Sequence, residues 1–164
     1  MTAGMRASDS GTASGDIRKT SRWVFVFLAI LWLGLILGVS FLATPVKFSA
    51  PSLTLPVALD VGRVTFSLFS RIEMILAALF IVLSWRRGVP KLQISFSLVL
   101  AMAVAAQALW LLPALTERVD MIARGEVPPP SGGHHIVYVC IEGGKAVILA
   151  ILGFVGLMNM DHVT

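Results

Sequence analysis

Charged side chains stand inside two of the four long apolar stretches of this sequence. Arg71 and Glu73 lie in the second stretch, and Glu142 and Lys145 lie in the fourth. A charge near the centre of a bilayer costs about 2.5–3.5 kcal/mol, so such residues usually face a protein interior and have a partner. Carboxylates and lysines in this setting are typical of proton relays and solute pathways. They raise the hypothesis of a proton- or solute-handling site.

The fourth stretch carries four polar residues at spacings of three, four and three: His135, Tyr138, Glu142 and Lys145. These spacings place all four on one face of a helix. Glu142 and Lys145 can therefore pair within the helix, and Lys145 can also reach Glu73 on a neighbouring helix. We interpret the stripe as one side of a polar layer inside a helix bundle.

Polar residues from three predicted helices lie at a similar depth in the membrane. Counted from the start of each predicted span, Arg71 and Glu142 lie about 10 Å deep, and Glu73 and Lys145 lie slightly deeper. The third stretch runs in the opposite direction and brings Gln107 to a similar level. We therefore predict one intramembrane polar cluster: Arg71, Glu73, Gln107, Tyr138, Glu142 and Lys145.

Arg71 has a second interpretation. It is two residues from Glu73, so the two side chains point to roughly opposite sides of a helix and cannot both face one partner. The long Arg71 side chain can instead snorkel outward to the membrane surface. Glu73 shares its face with Ser70 and Ala77, and we expect that face to point into the bundle.

The cluster supports two classes of function. Our leading hypothesis is a non-enzymatic membrane protein in which the buried ion pairs have a structural or scaffolding use. The alternative is a small transporter or channel subunit that handles protons or solutes with Glu73 and Glu142. A haem enzyme is disfavoured, because a transmembrane haem needs histidines on facing helices and only the fourth span has them. We predict no metal and no cofactor.

Composition places the chain in a membrane. Of its 164 residues, 57% are hydrophobic and only 13% are charged, and the mean hydropathy is +0.87. A soluble domain of this size cannot hide so much apolar surface, whereas a bilayer covers it. The net charge of +4 is scattered, which argues against a nucleic-acid partner. The partners we expect are the lipid bilayer and either a second copy of the chain or another membrane protein.

The predicted architecture is all-α, an integral membrane four-helix bundle of two hairpins. The spans cover about 23–42, 64–85, 92–112 and 135–157, between a disordered tail at 1–22 and a short polar tail at 158–164. Helix is also expected outside the membrane, from Pro56 to Val64 and from Pro113 to Arg124. Pro113 should kink or end the third span.

Two further patterns concern the helices themselves. Trp32 lies in the middle of the first span, where we expect it to serve in packing. The two halves of the chain are weakly similar in sequence, because Pro45 follows span one as Pro113 follows span three. The motif Phe69-x-x-Ile72-Glu73 likewise resembles Tyr138-x-x-Ile141-Glu142. These matches indicate a weak internal repeat of two hairpins in the same orientation.

A pattern of small, aromatic and proline residues runs from the first span into the second helix: Gly34, Phe41, Pro45, Phe48, Val61, Gly62 and Phe66. In this pattern the chain resembles the uncharacterised four-helix membrane proteins typified by transmembrane protein 205, over about residues 31–157. The histidine at the start of the last span is similar to that family, whereas Glu142 and Lys145 depart from it. The resemblance implies four helices and no established reaction.

Basic residues predict the orientation. Four lie in the N-terminal tail and three lie between spans two and three: Arg6, Arg18, Lys19, Arg22, Arg86, Arg87 and Lys91. Lys and Arg concentrate in cytoplasmic segments, so both termini should be cytoplasmic and the two long loops should lie on the far side. We expect the membrane to be the inner (cell) membrane of a bacterium.

Reporter fusions test this orientation. Fusions at Gly88 and Thr164 should report the cytoplasm, and a fusion at Gly132 should report the opposite side, because the basic segments are retained inside. A non-cytoplasmic signal at Gly88 would contradict the orientation. Signals on opposite sides for fusions at the two termini would contradict four spans.

Overall fold

Helices make up nearly all of this computed structural model, which describes residues 4–86, 89–129 and 133–159. The α-helices are α1 (Gly4–Ile36), α2 (Thr44–Lys47), α3 (Leu55–Ser84), α4 (Lys91–Ala106), α5 (Leu112–Ala123) and α6 (His134–Met158). Two π-helical segments, Leu37–Ala43 and Gln107–Leu111, continue α1 into α2 and α4 into α5. Among the described residues there is no strand.

Four of the resulting helices are long and apolar enough to cross a membrane: Lys19–Lys47, Leu55–Ser84, Lys91–Ala123 and His134–Met158. The prediction of an all-α fold with four membrane helices is therefore confirmed. The bundle has two ends. The long-loop end carries residues 44–54 and 112–129, and the short-loop end carries the last residues of α3 and the first residues of α4.

The N-terminal segment differs from its prediction where the structure describes it. Helix α1 begins at Gly4, inside the segment 1–22 for which we predicted disorder. Extending a helix from an already formed apolar span adds a hydrogen bond per residue without a new nucleation step, so even a Ser- and Gly-rich segment can continue it. Of the predicted polar tail, Met158 ends α6 and Asn159 caps it, and residues 160–164 lie outside the described residues.

Both predicted helical extensions at the long-loop end are confirmed. Helix α3 begins at Leu55 with a proline in its first turn, where a missing N–H leaves no unmade bond. Thr54 is extended (φ −71°, ψ 153°) and its carbonyl accepts the first helical bond, from Ala58 N at 2.9 Å. Helix α5 covers Leu112–Ala123 and reaches beyond the third span.

Pro113 neither ends the third span nor starts a separate helix. The chain passes from α4 through a π-helical turn into α5, and Pro113 lies in the first turn of α5. A proline lacks an N–H and clashes with the carbonyl four residues before it. The wider π turn, closed by Leu112 N–H to Gln107 O, sits where this clash would fall.

Pro45 repeats the arrangement in the first half of the chain. The π-helical segment Leu37–Ala43 precedes it, and the Thr44 N–H bonds to Val39 O, five residues back. The Thr44 hydroxyl donates to the same carbonyl at 2.8 Å. The similar positions of Pro45 and Pro113 in the sequence thus correspond to the same backbone structure, a π-helical segment before a proline, at the long-loop end of the first and third spans.

The closest helix pairs are α3 with α4 and α1 with α6, so the first and last spans are neighbours. Small residues let α1 and α6 approach. A methyl group at Gly156 would overlap the Val26 side chain, and one at Gly153 would lie 3.4 Å from Ile30. Without a hydrophobic force between helices in lipid, such close van der Waals packing is a main source of helix association.

Buried apolar side chains form the core of the half toward the short-loop end, where a cavity of about 320 Å³ lined in part by Arg22, Gln93 and Asn159 also lies. Phe25 and Trp32 of α1 contact Phe80 of α3, with ring centroids 4.5 and 5.3 Å apart. The only polar contact described among the buried side chains of this half joins the Ser84 and Ser97 hydroxyls at 2.9 Å. No continuous polar path therefore leads from this end to the middle of the bundle through the described residues.

We expect Gly156→Leu to destabilise the protein by about 1–3 kcal/mol, because the larger side chain overpacks the α1–α6 contact at Val26. Thermal unfolding in detergent measures the effect. Gly144→Leu is the matched control, since Gly144 is on the same helix with open space around it. Equal melting temperatures for the two variants would contradict the close packing of α1 on α6.

Candidate intramembrane site

Lys145 is the centre of a buried charge cluster. Its Nζ lies 2.5 Å from Glu73 Oε1 and 2.9 Å from Glu142 Oε1, and all three side chains are only 1% exposed. Glu142 precedes Lys145 by one helical turn on α6, whereas Glu73 belongs to α3. One ammonium therefore bridges two carboxylates and two helices.

Each carboxylate also accepts a hydrogen bond from one neutral donor. The Trp32 indole Nε1 donates to Glu73 Oε1 at 2.9 Å. The Gln107 amide Nε2 donates to Glu142 Oε1 at 2.9 Å and lies 3.5 Å from the Tyr138 carbonyl oxygen. Trp32 comes from α1 and Gln107 from the second π-helical segment, so all four membrane helices contribute to one polar layer.

The cluster has more acid than base. With all three groups ionised, two carboxylates and one ammonium leave a net charge of minus one. An uncompensated charge in an apolar interior is costly, so a bound proton or cation would relieve the excess. Glu142 Oε2 is buried and forms no hydrogen bond of normal geometry within the described residues, although the Tyr138 hydroxyl interacts with the Glu142 carboxylate. That oxygen is where the arrangement has free capacity for a proton.

A cavity of about 480 Å³, the deep cavity, reaches this carboxylate from the long-loop end. Glu142 and Tyr138 line it together with Ser40 of the first π-helical segment. The Ser40 hydroxyl is also buried without a partner. The aromatic wall includes Phe66, whose ring meets Tyr138 edge-on at 5.3 Å. Two unsatisfied polar groups thus belong to residues that line one cavity.

The structure brings together five of the six residues predicted for the cluster. Glu73, Gln107, Tyr138, Glu142 and Lys145 are all buried. Gln107 donates to Glu142 from the side of the third span, and the Tyr138 hydroxyl interacts with Glu142 from the preceding turn of α6.

Arg71 is a correction to the predicted cluster. Its side chain is exposed on the far side of α3 from Glu73, as the two-residue spacing requires. The outward interpretation of Arg71 is the one that the structure supports. His135, which the sequence placed on the same stripe, is also exposed, at the start of α6.

Two residues of the site were missed in the sequence. Trp32 was assigned to packing, yet its indole N–H donates to Glu73. A mid-membrane indole needs an acceptor because no water is present to supply one, and that requirement was the available signal. Ser40 gave no signal, since its place beside the deep cavity depends on the π-helical turn that carries it.

The donors present do not favour a metal. Within the described part of the chain, no three His, Cys, Asp or Glu side chains are grouped so that they could hold a metal ion. The cation of this site is Lys145, and two carboxylates around one ammonium form an arrangement that can bind or release a proton.

We expect Lys145→Met to destabilise the protein by about 3–5 kcal/mol, because it leaves two buried carboxylates without their cation. The triple variant Lys145→Met, Glu73→Gln, Glu142→Gln should recover most of this loss, since it also removes the unmatched charges. Melting temperatures in detergent compare them, with Lys91→Met at an exposed position as the control. A single and a triple variant that melt alike would contradict the bridging role of Lys145.

Comparison with known proteins identifies a family. A protein-family model described as "Domain of unknown function (DUF4149)" matches residues 27–123. The chain matches no curated protein and no solved structure. The matched range includes Trp32, Glu73 and Gln107 and ends before α6, so Glu142 and Lys145 lie outside it. Because the match covers more than half of the 164 residues, the chain belongs to the family of this domain of unknown function, DUF4149.

Proposed function

We propose that this is a non-enzymatic, multi-pass membrane protein that takes up and releases a proton at Glu142, as a small proton- or solute-handling transporter or channel subunit. The observation that carries the proposal is the unpartnered Glu142 Oε2, in a side chain that lines a cavity reaching toward the long-loop end. Intramembrane carboxylates that face such cavities are typical of proton pathways.

The two glutamates have different roles in this proposal. Glu73 Oε1 accepts from both Lys145 and Trp32, so that oxygen is held by two donors on different helices. Glu142 shares Lys145, keeps one oxygen without a hydrogen bond, and lines the deep cavity. Glu73 therefore acts as the fixed counter-ion of Lys145, and Glu142 is the group that exchanges its proton.

The proposed path reaches Glu142 from one side. The deep cavity leads toward the long-loop end, while Trp32 and Phe80 pack together below the cluster. A proton from the long-loop side would reach Glu142 before it met Lys145 or Glu73. Uptake at Glu142 cancels the excess negative charge of the cluster, which supports a proton as the exchanged ion.

A second candidate is the scaffolding use of the cluster, with no exchange of protons. It is favoured by the contributions of all four membrane helices to one polar layer, since such a layer fixes helix register. A structural network of this kind needs every polar atom satisfied. The free Glu142 Oε2 and Ser40 hydroxyl favour the exchange function over this candidate.

We also propose a closer relation to the transmembrane protein 205-like proteins and a setting for the protein. The support for this relation is the pattern of residues from Gly34 to Phe66. The basic residues at the short-loop end support cytoplasmic termini in the inner membrane of a bacterium. A second copy of the chain is a suitable partner, since Gly34 is exposed with open space above it.

A hydrophobic carbodiimide, which modifies protonated carboxyl groups in apolar surroundings, tests the exchange at Glu142. We expect mass spectrometry to find the label on Glu142 in the detergent-purified protein, and labelling should decline as the pH is raised because the proton leaves. Glu142→Gln should remove that label, whereas Glu117→Gln, at an exposed position, should leave it unchanged. A Glu142 that stays unlabelled from mildly acidic to mildly basic pH would overturn the proposal in favour of scaffolding.

A further inference from the structure

A second cavity, the mouth cavity, adjoins the deep cavity at the long-loop end. It has a volume of about 220 Å³ and shares Thr44, Phe66 and Tyr138 with the lining of the deep cavity. Three cationic side chains line it, Lys47, Arg63 and Arg118, and no carboxylate is among its lining residues. This charge pattern is opposite to that of the buried cluster below.

Only one of the three cations is neutralised by acids. Arg63 pairs with Asp60 at 2.6 Å and lies 3.8 Å from Asp120. Arg118 donates to the Pro129 carbonyl at 2.5 Å, a neutral acceptor that leaves its charge in place. Lys47 makes no ion pair within the described residues, although it is partly buried. Within the part of the chain that the structure describes, two cationic charges at the mouth cavity therefore have no counter-ion.

Neighbouring side chains and a glycine fix the position of the Lys47 ammonium. Its Nζ lies over the rings of Phe48 and Phe66, at 5.1 and 5.9 Å from their centroids. A methyl group at Gly62 would overlap the Lys47 ammonium, so the absence of a side chain there lets the cation lie against α3. Aromatic rings and a glycine thus hold a lysine at the cavity without giving it a carboxylate.

The rest of the mouth cavity is mostly apolar, with Thr44, Thr116, His135 and Tyr138 as its other polar lining residues. One wall is the inner face of α5, with Leu115, Val119 and Ile122, and Leu59 of α3 lies opposite. An apolar wall beside unpaired cations matches a molecule that has an anionic head and an apolar body, since each part then meets its complement. A small hydrophilic anion would leave the wall unused, and a neutral lipid would leave the cations unpaired.

We propose that the mouth cavity binds a single-chain amphiphile with a carboxylate or phosphate head group. The head pairs with Lys47 and Arg118, and the chain lies along the face of α5. This inference is independent of proton exchange at Glu142, because its ionic contacts share no residue with the buried cluster. The two proposals can therefore fail separately.

Binding of radiolabelled dodecanoate to the full chain in phosphatidylcholine nanodiscs tests the proposal, with dodecyl phosphate and dodecanol as competitors. Dodecyl phosphate should displace dodecanoate and dodecanol should not, because only the anion pairs with the cations. Lys47→Met should weaken binding about tenfold, the effect of losing one charged hydrogen bond. Lys91→Met, at the opposite end of the bundle, should not change it.

A second variant and a second lipid composition complete the test. Gly62→Leu should weaken binding by displacing the Lys47 ammonium while the lysine itself remains. Nanodiscs that contain phosphatidylglycerol should leave dodecanoate binding intact, and its loss there would overturn the single-chain ligand in favour of a bilayer phospholipid. Equal displacement by dodecanol, or unchanged binding in both Lys47→Met and Gly62→Leu, would overturn the proposal altogether. Carbodiimide labelling of Glu142 would report on the proton exchange separately in every case.

Discussion

The contact of one ammonium with two carboxylates is the constraint on which the rest of the bundle depends. Lys145 holds α6 to α3 through Glu73, and the two glutamates draw in Trp32 and Gln107 from the remaining spans. In a bilayer, apolar side chains gain no hydrophobic free energy by exchanging lipid contacts for contacts with another helix. Polar contacts between helices can therefore define which helix faces meet. The register of all four helices is thus set at one depth, and the apolar packing on the short-loop side follows it.

The π-helical segments extend this constraint toward the long-loop end. Each precedes a proline, and each carries a polar residue of the site, Ser40 in one and Gln107 in the other. A π turn shifts the side chains that follow it relative to an ordinary helix, and such turns are frequent at functional sites. The first of these turns carries Ser40, which lines the deep cavity together with Glu142, and the second carries Gln107, which donates to Glu142. Both polar residues therefore reach the site from helices that continue through the bundle without a break.

The sequence predicted what depends on periodicity and depth. Glu142 and Lys145 share a face because they are three residues apart, and the burial of Glu73 opposite an exposed Arg71 follows from their two-residue separation. The pairing of α1 with α6 could not be predicted, since apolar helices carry little information about which neighbour they choose. The π turns were also missed, because proline predicts a kink or an end but not the backbone geometry that accommodates it. Ser40 joined the site through the first π turn, whereas the place of Trp32 follows from the need of its buried indole for an acceptor, which Glu73 provides.

The order of synthesis gives the position of Lys145 a consequence for biogenesis. Lys145 lies on the last of the four spans, so Trp32, Glu73 and Gln107 leave the ribosome before the only cation of their cluster exists. Until α6 inserts, Glu73 has the Trp32 indole as its one described partner and is an intramembrane acid without a counter-charge. The insertion of α6 therefore completes the assembly. A chain that ends before α6 keeps Glu73 in the membrane without its cation, and this unpaired carboxylate distinguishes it from the finished bundle.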